Sequence, residues 1–205
     1  MDSQANNRRD LETLIERLRA AGVQFAEGMS DAEIALVEQK YQFHFPADLG
    51  KFLSIALPTS PPGPGWFANW RLAAAGDHDT EQRIADALDW PAQGICFDVE
   101  RNGFWMEEWE PRPPKMDQAT AVARQKINEA PRLIPIFSHR YIPAEPDSPG
   151  NPVFSVYQTD IIHCGANLAS YLEAEFLGGK VPTELATLRP IRFWSRLVEV
   201  SGNTI

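Results

Sequence analysis

The sequence predicts an α+β fold in which a small, largely antiparallel sheet packs against helices. Helical segments fill the first third of the chain, and short strand-like runs interspersed with further helices follow, an order typical of this class. The length of 205 residues and the 43% hydrophobic and 23% charged composition are ordinary for a globular domain. We therefore expect one domain over residues 1–205, with 1–27 as an N-terminal helical extension and 201–205 as a frayed tail.

Three amphipathic helices are predicted in the first 60 residues, since apolar side chains recur there every three or four positions. The second begins with a capping box, in which Ser30 and Glu33 reciprocally satisfy amides of the first turn. Pro46 suits the start of the third helix, and Pro58 is expected to end it before a loop over 58–65. The three helices are predicted over 8–21, 31–41 and 46–57.

The second half of the chain is predicted to mix short helices and short strands. A helix over 79–90 is expected to break at 91–94, which contains proline and glycine, before a strand at 95–99. A strand at 133–137 contains Pro135, which favours an edge strand or a strand end because proline has no amide hydrogen to donate. The other predictions are a helix over 119–130, a hairpin of 153–157 and 161–164, a helix from about Asn167 and a last helix from about Pro190.

The charge distribution favours a basic protein as partner. The chain has a formal charge of −9, and residues 61–120 contain 11 acidic against 5 basic side chains. Such a balance disfavours nucleic acid and anionic membrane surfaces, whose binding depends on Lys and Arg.

The chain is also predicted to be cytoplasmic and free of cofactors. It contains no apolar run of the ~18–20 residues that a membrane helix needs, and its N-terminus is polar. Cys96 and Cys164 are far apart in sequence and are expected to be buried free thiols.

Two groups of motifs follow one another along the chain. The N-terminal group reads Gly28-Met29-Ser30-Asp31-Ala32-Glu33-Ile34, Val37-Glu38 and Tyr41-x-Phe43-x-Phe45-Pro46-x-Asp48-Leu49-x-x-Phe52-Leu53. The later group reads Asn69-Trp70-Arg71-Leu72, Asp89-Trp90-Pro91, Phe97-Asp98-Val99-Glu100, Phe104-Trp105, Arg132-Leu133-Ile134-Pro135-Ile136, His139-Arg140-Tyr141-Ile142-Pro143 and the segment 150–162. The first group resembles the N-terminal signature of the SUKH superfamily, which includes the cell-wall-synthesis regulators of the Smi/Knr type, and the later group is similar to one bacterial branch of that superfamily.

This resemblance implies an α+β fold and protein–protein binding rather than catalysis. Many bacterial relatives are immunity proteins that neutralise partner toxins, some of which are nucleases, so the resemblance also implies an immunity role. The partner expected from the resemblance and from the charge together is a protein, with a basic toxin domain as one example. The family has no set of catalytic residues to carry over to this chain.

The segment 98–110 is the predicted partner-binding site, because it mixes carboxylates with large aromatic side chains. An acidic rim around aromatic anchors would combine electrostatic steering with buried area. Alternatively, the carboxylates Asp98 and Glu100 could perform acid and base chemistry in a hydrolase. In a third interpretation the aromatic residues belong to the core and the acids are merely solvated. The candidate residues are Asp98, Glu100, Phe104, Trp105, Glu107, Glu108, Trp109 and Glu110.

The histidines predict no metal site. His163 and Cys164 are neighbours on a predicted strand, so their side chains should point to opposite faces. No His-Glu-x-x-His or paired Cys-x-x-Cys spacing supplies further ligands. His139 remains a candidate residue of the alternative hydrolase hypothesis, which uses either the carboxylates or this histidine.

Overall fold

The computed structural model describes residues 2–180 and 188–200, and it confirms the α+β class. The helices are α1 (Asp2–Ala20), α2 (Asp31–Tyr41), α3 (Ala47–Ile55), α4 (Trp70–Ala74), α5 (His78–Arg101), α6 (Met116–Asn128), α7 (Leu168–Leu177) and α8 (Trp194–Val200). The strands are β1 (Gln24–Glu27), β2 (Ala56–Ser60), β3 (Leu133–Phe137), β4 (Arg140–Pro143), β5 (Val153–Tyr157) and β6 (Asp160–Gly165). The predicted tail at 201–205 lies outside the described residues.

The larger sheet is an antiparallel meander in the order β3-β4-β5-β6. Pro135 lies in β3 at the edge, as predicted, so its missing amide hydrogen costs no bond to a further strand. The predicted hairpin is also confirmed: β5 and β6 are joined by Gln158 and Thr159, and Gln158 has a left-handed backbone (φ 55°).

Two hydrophobic cores lie on the two faces of this sheet. Because successive side chains of a strand point to opposite faces, Ile142 of β4 belongs to the first core and its neighbour Tyr141 to the second. The first core collects α1, α2, α3 and α7, and the second collects α6, α8 and the C-terminal half of α5. Among the described residues, no helix is both long and apolar enough to cross a bilayer.

The first 60 residues confirm the predicted helices and correct their surroundings. The Ser30–Glu33 capping box is present, with the Glu33 carboxylate accepting from the Ser30 amide at 2.7 Å. The predicted helical extension over 1–27 is wrong at its end, because residues 24–27 form β1 and pair with β2. Pro58 lies inside β2 and not in a loop, because α3 already ends at Ile55 and the next residue is extended.

The predicted break at 91–94 and the predicted strand at 95–99 are both wrong, because α5 runs without interruption from 78 to 101. A proline inside a helix removes the hydrogen bond to the carbonyl four residues earlier, which here is that of Ala87. The Tyr141 hydroxyl supplies the missing donor and binds the Ala87 oxygen at 2.9 Å. Burial raises the pKa of Tyr141, so this hydroxyl keeps its proton. Ile95 and Val99, two residues of the predicted strand, are fully buried on the helix.

Replacing the tyrosine should reveal this substitution of donors. In Tyr141→Phe the Ala87 carbonyl becomes a buried acceptor without a partner, and the free energy of unfolding should fall by about 1–3 kcal/mol. In a Pro91→Ala background the new amide can donate to that carbonyl, so the same change should cost less. Urea denaturation of all four members of this double-mutant cycle measures the difference. An equal cost in both backgrounds would contradict the proposed exchange of donors.

Candidate functional site

The aromatic residues of the predicted 98–110 site pack into the second core. Trp109 is buried, and its ring contacts Phe104 and Trp105 edge-on, with centroids 6.0 and 4.9 Å apart. It also stacks on Phe193 at 6.4 Å. Phe104 and Trp105 are half-buried against the same core. These three side chains therefore follow the core interpretation and are not the exposed anchors of a partner-binding surface.

Asp98 is also removed from the predicted acidic rim, since only 3% of it is exposed. Its carboxylate accepts hydrogen bonds from the amide and hydroxyl of Thr159, at 2.9 and 2.6 Å, and from the Asn102 amide group at 2.5 Å. Thr159 lies in the β5–β6 turn, so Asp98 joins the last turns of α5 to that hairpin. Its role in the structure is to position these two elements.

The carboxylates of Asp98 and Glu100 do not converge. Residues two positions apart on a helix are rotated by about 200° around its axis, so the two side chains leave α5 on different sides. Glu100 is exposed and accepts a hydrogen bond from the Thr120 hydroxyl at 3.3 Å. A pair of acids that flanks one scissile bond, as the hydrolase hypothesis requires, is not formed by these residues.

The remaining acids, Glu107, Glu108 and Glu110, are exposed as predicted, but two of them have basic neighbours. Glu108 forms an ion pair with Arg196, whose hydrogen bond lowers the pKa of that carboxyl. Glu110 lies 3.2 Å from Lys126, and its pKa is lowered first by a backbone hydrogen bond and then by this lysine. Such pairs reduce the negative field that a rim would project.

A different set of aromatic side chains is exposed to solvent. Trp90, Phe97 and Tyr157 are 39, 46 and 57% exposed, and we call them together the aromatic surface. Trp90 and Phe97 are seven residues apart on α5 and so share one face of the helix. The rings of Trp90 and Tyr157 lie 6.1 Å apart, and the Trp90 indole donates to the Val156 carbonyl at 3.1 Å. The surface thus spans the helix and the neighbouring hairpin.

Gly94 sets the spacing between the two halves of this surface. It lies on α5 between Trp90 and Phe97, where a β-carbon would come within 2.8 Å of the Gln158 α-carbon and 3.0 Å of its amide nitrogen. The helix therefore meets the hairpin turn backbone to backbone, an approach that only glycine allows.

A groove of about 590 Å³ opens beside Trp90. Trp66 and Trp90 line it, and Ala87 and Tyr141, joined by their hydrogen bond, are part of its lining. Its volume lies within the ~300–1,000 Å³ that is usual for sites binding small molecules.

The polar side chains of the groove come from two elements. Arg83, Asp86 and Gln93 lie on α5, while Ser138 and His139 lie in the turn between β3 and β4. Burial and the neighbouring Arg140 lower the pKa of His139, which favours its neutral form. His139, the histidine of the alternative hydrolase hypothesis, lies in this groove, whose lining includes none of the 98–110 acids.

The prediction that His163 and Cys164 point to opposite faces is confirmed. Cys164 belongs to the first core, whereas the His163 ring lies 4.8 Å from Phe154 of the second core. Both cysteines are buried and free, as expected, and burial raises the pKa of Cys164 to about 11. Within residues 2–180 and 188–200, no cluster of three or more His, Cys, Asp or Glu side chains could hold a metal ion.

The predictions from sequence missed the aromatic surface because they divided α5 in two. With 95–99 assigned to a strand, Phe97 had no helical relation to Trp90. A continuous helix would have revealed it: the buried residues Ile84, Ile95 and Val99 mark one stripe, and Trp90 and Phe97 fall outside that stripe.

The crossing of helix and hairpin at Gly94 can be tested with one methyl group. Gly94→Ala should lower the free energy of unfolding by about 1–3 kcal/mol, because the added β-carbon meets the backbone of Gln158. Gly50→Ala in α3 is the matched control, since its β-carbon would make an ordinary 3.6 Å contact with Phe45. That change should be neutral or stabilising by up to about 1 kcal/mol through helix propensity. If urea denaturation shows that both alanines stabilise the protein, the close crossing is wrong.

Asp98 and Glu107 should respond differently to loss of charge. Asp98→Asn weakens three hydrogen bonds to a buried carboxylate, and we expect a loss of about 2–3 kcal/mol in the free energy of unfolding. Glu107→Gln removes an exposed charge and should change that free energy by less than about 0.5 kcal/mol. Thermal and urea denaturation of both variants measure this, and similar small effects would return Asp98 to the list of candidate surface acids.

Comparison with models of protein families, with curated proteins and with solved structures gave no match to this chain.

Proposed function

We propose that this chain is a non-catalytic, cytoplasmic protein-binding domain of the SUKH kind, which acts as an immunity protein that neutralises a toxin or as a related scaffold. Its sequence resemblance supports the family and the role. The observation that carries the binding function is the aromatic surface of Trp90, Phe97 and Tyr157. Large exposed aromatic side chains grouped on one face are typical of the centre of protein–protein interfaces.

The aromatic surface is suited to binding because it is held in place before a partner arrives. The hydrogen bond from the Trp90 indole to Val156 fixes that ring, and the bonds from Thr159 to Asp98 fix the hairpin turn next to Tyr157. Little side-chain entropy is then lost on association, so more of the contact energy contributes to affinity.

The charge of the whole chain favours a basic partner, such as a basic toxin domain. A net charge of −9 accelerates the diffusional encounter with a cationic surface, and this effect weakens as salt concentration rises. The aromatic surface would then determine how long the complex lasts, because buried anchors act mainly on the rate of dissociation.

The proposal is tested with the products of the genes that flank this one, and a product that inhibits growth when expressed alone is used as the partner. Phe97→Ser and Tyr157→Ser should leave the fold intact, whereas Trp90→Ser also loses the bond to Val156 and is compared at an equal concentration of folded protein. Each change should raise the dissociation rate at least tenfold, since an anchor residue contributes on the order of 2 kcal/mol. Surface plasmon resonance measures the rates, and a growth assay measures neutralisation of the toxin.

Leu36→Ser is the matched control for these changes. Leu36 is a large apolar residue of α2 that is 47% exposed, but it lies outside the aromatic surface. This variant should bind like the unchanged protein. Binding lost equally in Leu36→Ser would show a general effect of surface polarity, and binding unchanged in all three aromatic variants would place the contact elsewhere. No association with any product of the flanking genes would count against the immunity role.

A further inference from the structure

The groove beside Trp90 has aromatic walls whose positions are fixed. The Trp90 ring is held through its bond to the Val156 carbonyl, and the groove is also lined by Tyr141, whose hydroxyl is bound to Ala87. On the other wall, the guanidinium of Arg83 lies over the Trp66 ring, 4.4 Å from its centroid. A planar ligand could therefore enter next to Trp90 without rearranging these side chains.

Arg83 brings a positive charge that is not neutralised. Its guanidinium has no hydrogen-bond acceptor and no carboxylate partner among the described residues, and its contact is the face of Trp66. A guanidinium that stacks on an indole keeps its N–H edges free, and these edges match the two oxygens of a carboxylate.

Asp86 brings a negative charge to the same groove. Its carboxylate accepts a hydrogen bond from the Gln82 side-chain amide at 2.7 Å, and no basic group in the described chain lies within ion-pair distance of it. Asp86 follows Arg83 by three residues on α5, so both side chains lie on neighbouring positions of one helix face. The groove thus offers a separated pair of opposite charges next to an aromatic wall.

We infer that this groove binds a free α-amino acid with an aromatic side chain. Its carboxylate binds Arg83, its ammonium group binds Asp86 and its ring packs against Trp90. The ligand is neutral overall, as the pair Arg83 and Asp86 is, so neither charge of the groove is left without a partner when the site is occupied. This site goes beyond the proposed protein-binding function and does not depend on it.

Four related probes separate the three parts of this recognition. L-Phenylalanine contains all of them, L-phenylalaninamide lacks the carboxylate, N-acetyl-L-phenylalanine lacks the ammonium group, and L-alanine lacks the ring. Ligand-observed NMR and calorimetry with the full chain should show binding of L-phenylalanine, and each other probe should bind at least tenfold more weakly. Equal binding of all aromatic probes would overturn the inference, as would absence of L-phenylalanine binding at millimolar concentrations.

Two variants connect the probes to the residues. Arg83→Met should abolish the preference for L-phenylalanine over its amide, and Asp86→Asn should abolish the preference over the N-acetyl form. Arg101→Met and Asp79→Asn remove like charges from α5 outside the groove and should preserve both preferences. If the preferences survive in the groove variants or disappear in these controls, the assignment of the two charges is wrong. Binding of the partner found among the flanking gene products is measured on the same variants, so that failure of this inference is distinguished from failure of the proposed function.

Discussion

The hydroxyl of Tyr141 donates the hydrogen bond that a backbone amide of α5 would otherwise donate. Pro91 leaves the Ala87 carbonyl without its helical donor, and Tyr141 reaches it from the sheet. This bond satisfies the orphaned carbonyl inside a helix that contributes to both cores, with Ile84 in the first and Ile95 in the second. The same bond ties α5 to the sheet beside the groove. The arrangement of Trp90 and Phe97 on one face requires a continuous α5, and this bond stabilises α5 at its proline.

Local signals were sufficient for much of the fold. The capping box at Ser30, the edge position of Pro135 and the β5–β6 hairpin all depend on residues near one another in sequence, and each prediction is confirmed. The helix α5 could not be predicted in the same way. Pro91 and Gly94 are local signals of a break, and the groups that overrule them, the Tyr141 hydroxyl and the hairpin turn at Gln158, come from more than 45 residues further along the chain.

The burial of side chains in the candidate site could not be predicted from local sequence either. Carboxylates mixed with aromatic residues in 98–110 are compatible with an interface and with a core, because composition does not reveal burial. Burial there depends on residues from distant parts of the chain, such as Phe193, which stacks on Trp109. The exposed aromatic residues could be recognised only once α5 was known to be continuous, because Trp90 and Phe97 then lie outside its stripe of buried residues.

The contact between Gly94 and Gln158 has a consequence for how such a surface can diversify. The two elements are held together by backbone proximity, by the buried Asp98 and by the bond from the Trp90 indole to Val156, whereas the rings of Phe97 and Tyr157 form no hydrogen bond of that crossing. The side chains at 97 and 157 can therefore be exchanged while the spacing of the positions that display them stays constant. Substitutions at these two positions would change what the surface recognises and leave the backbone beneath it in place.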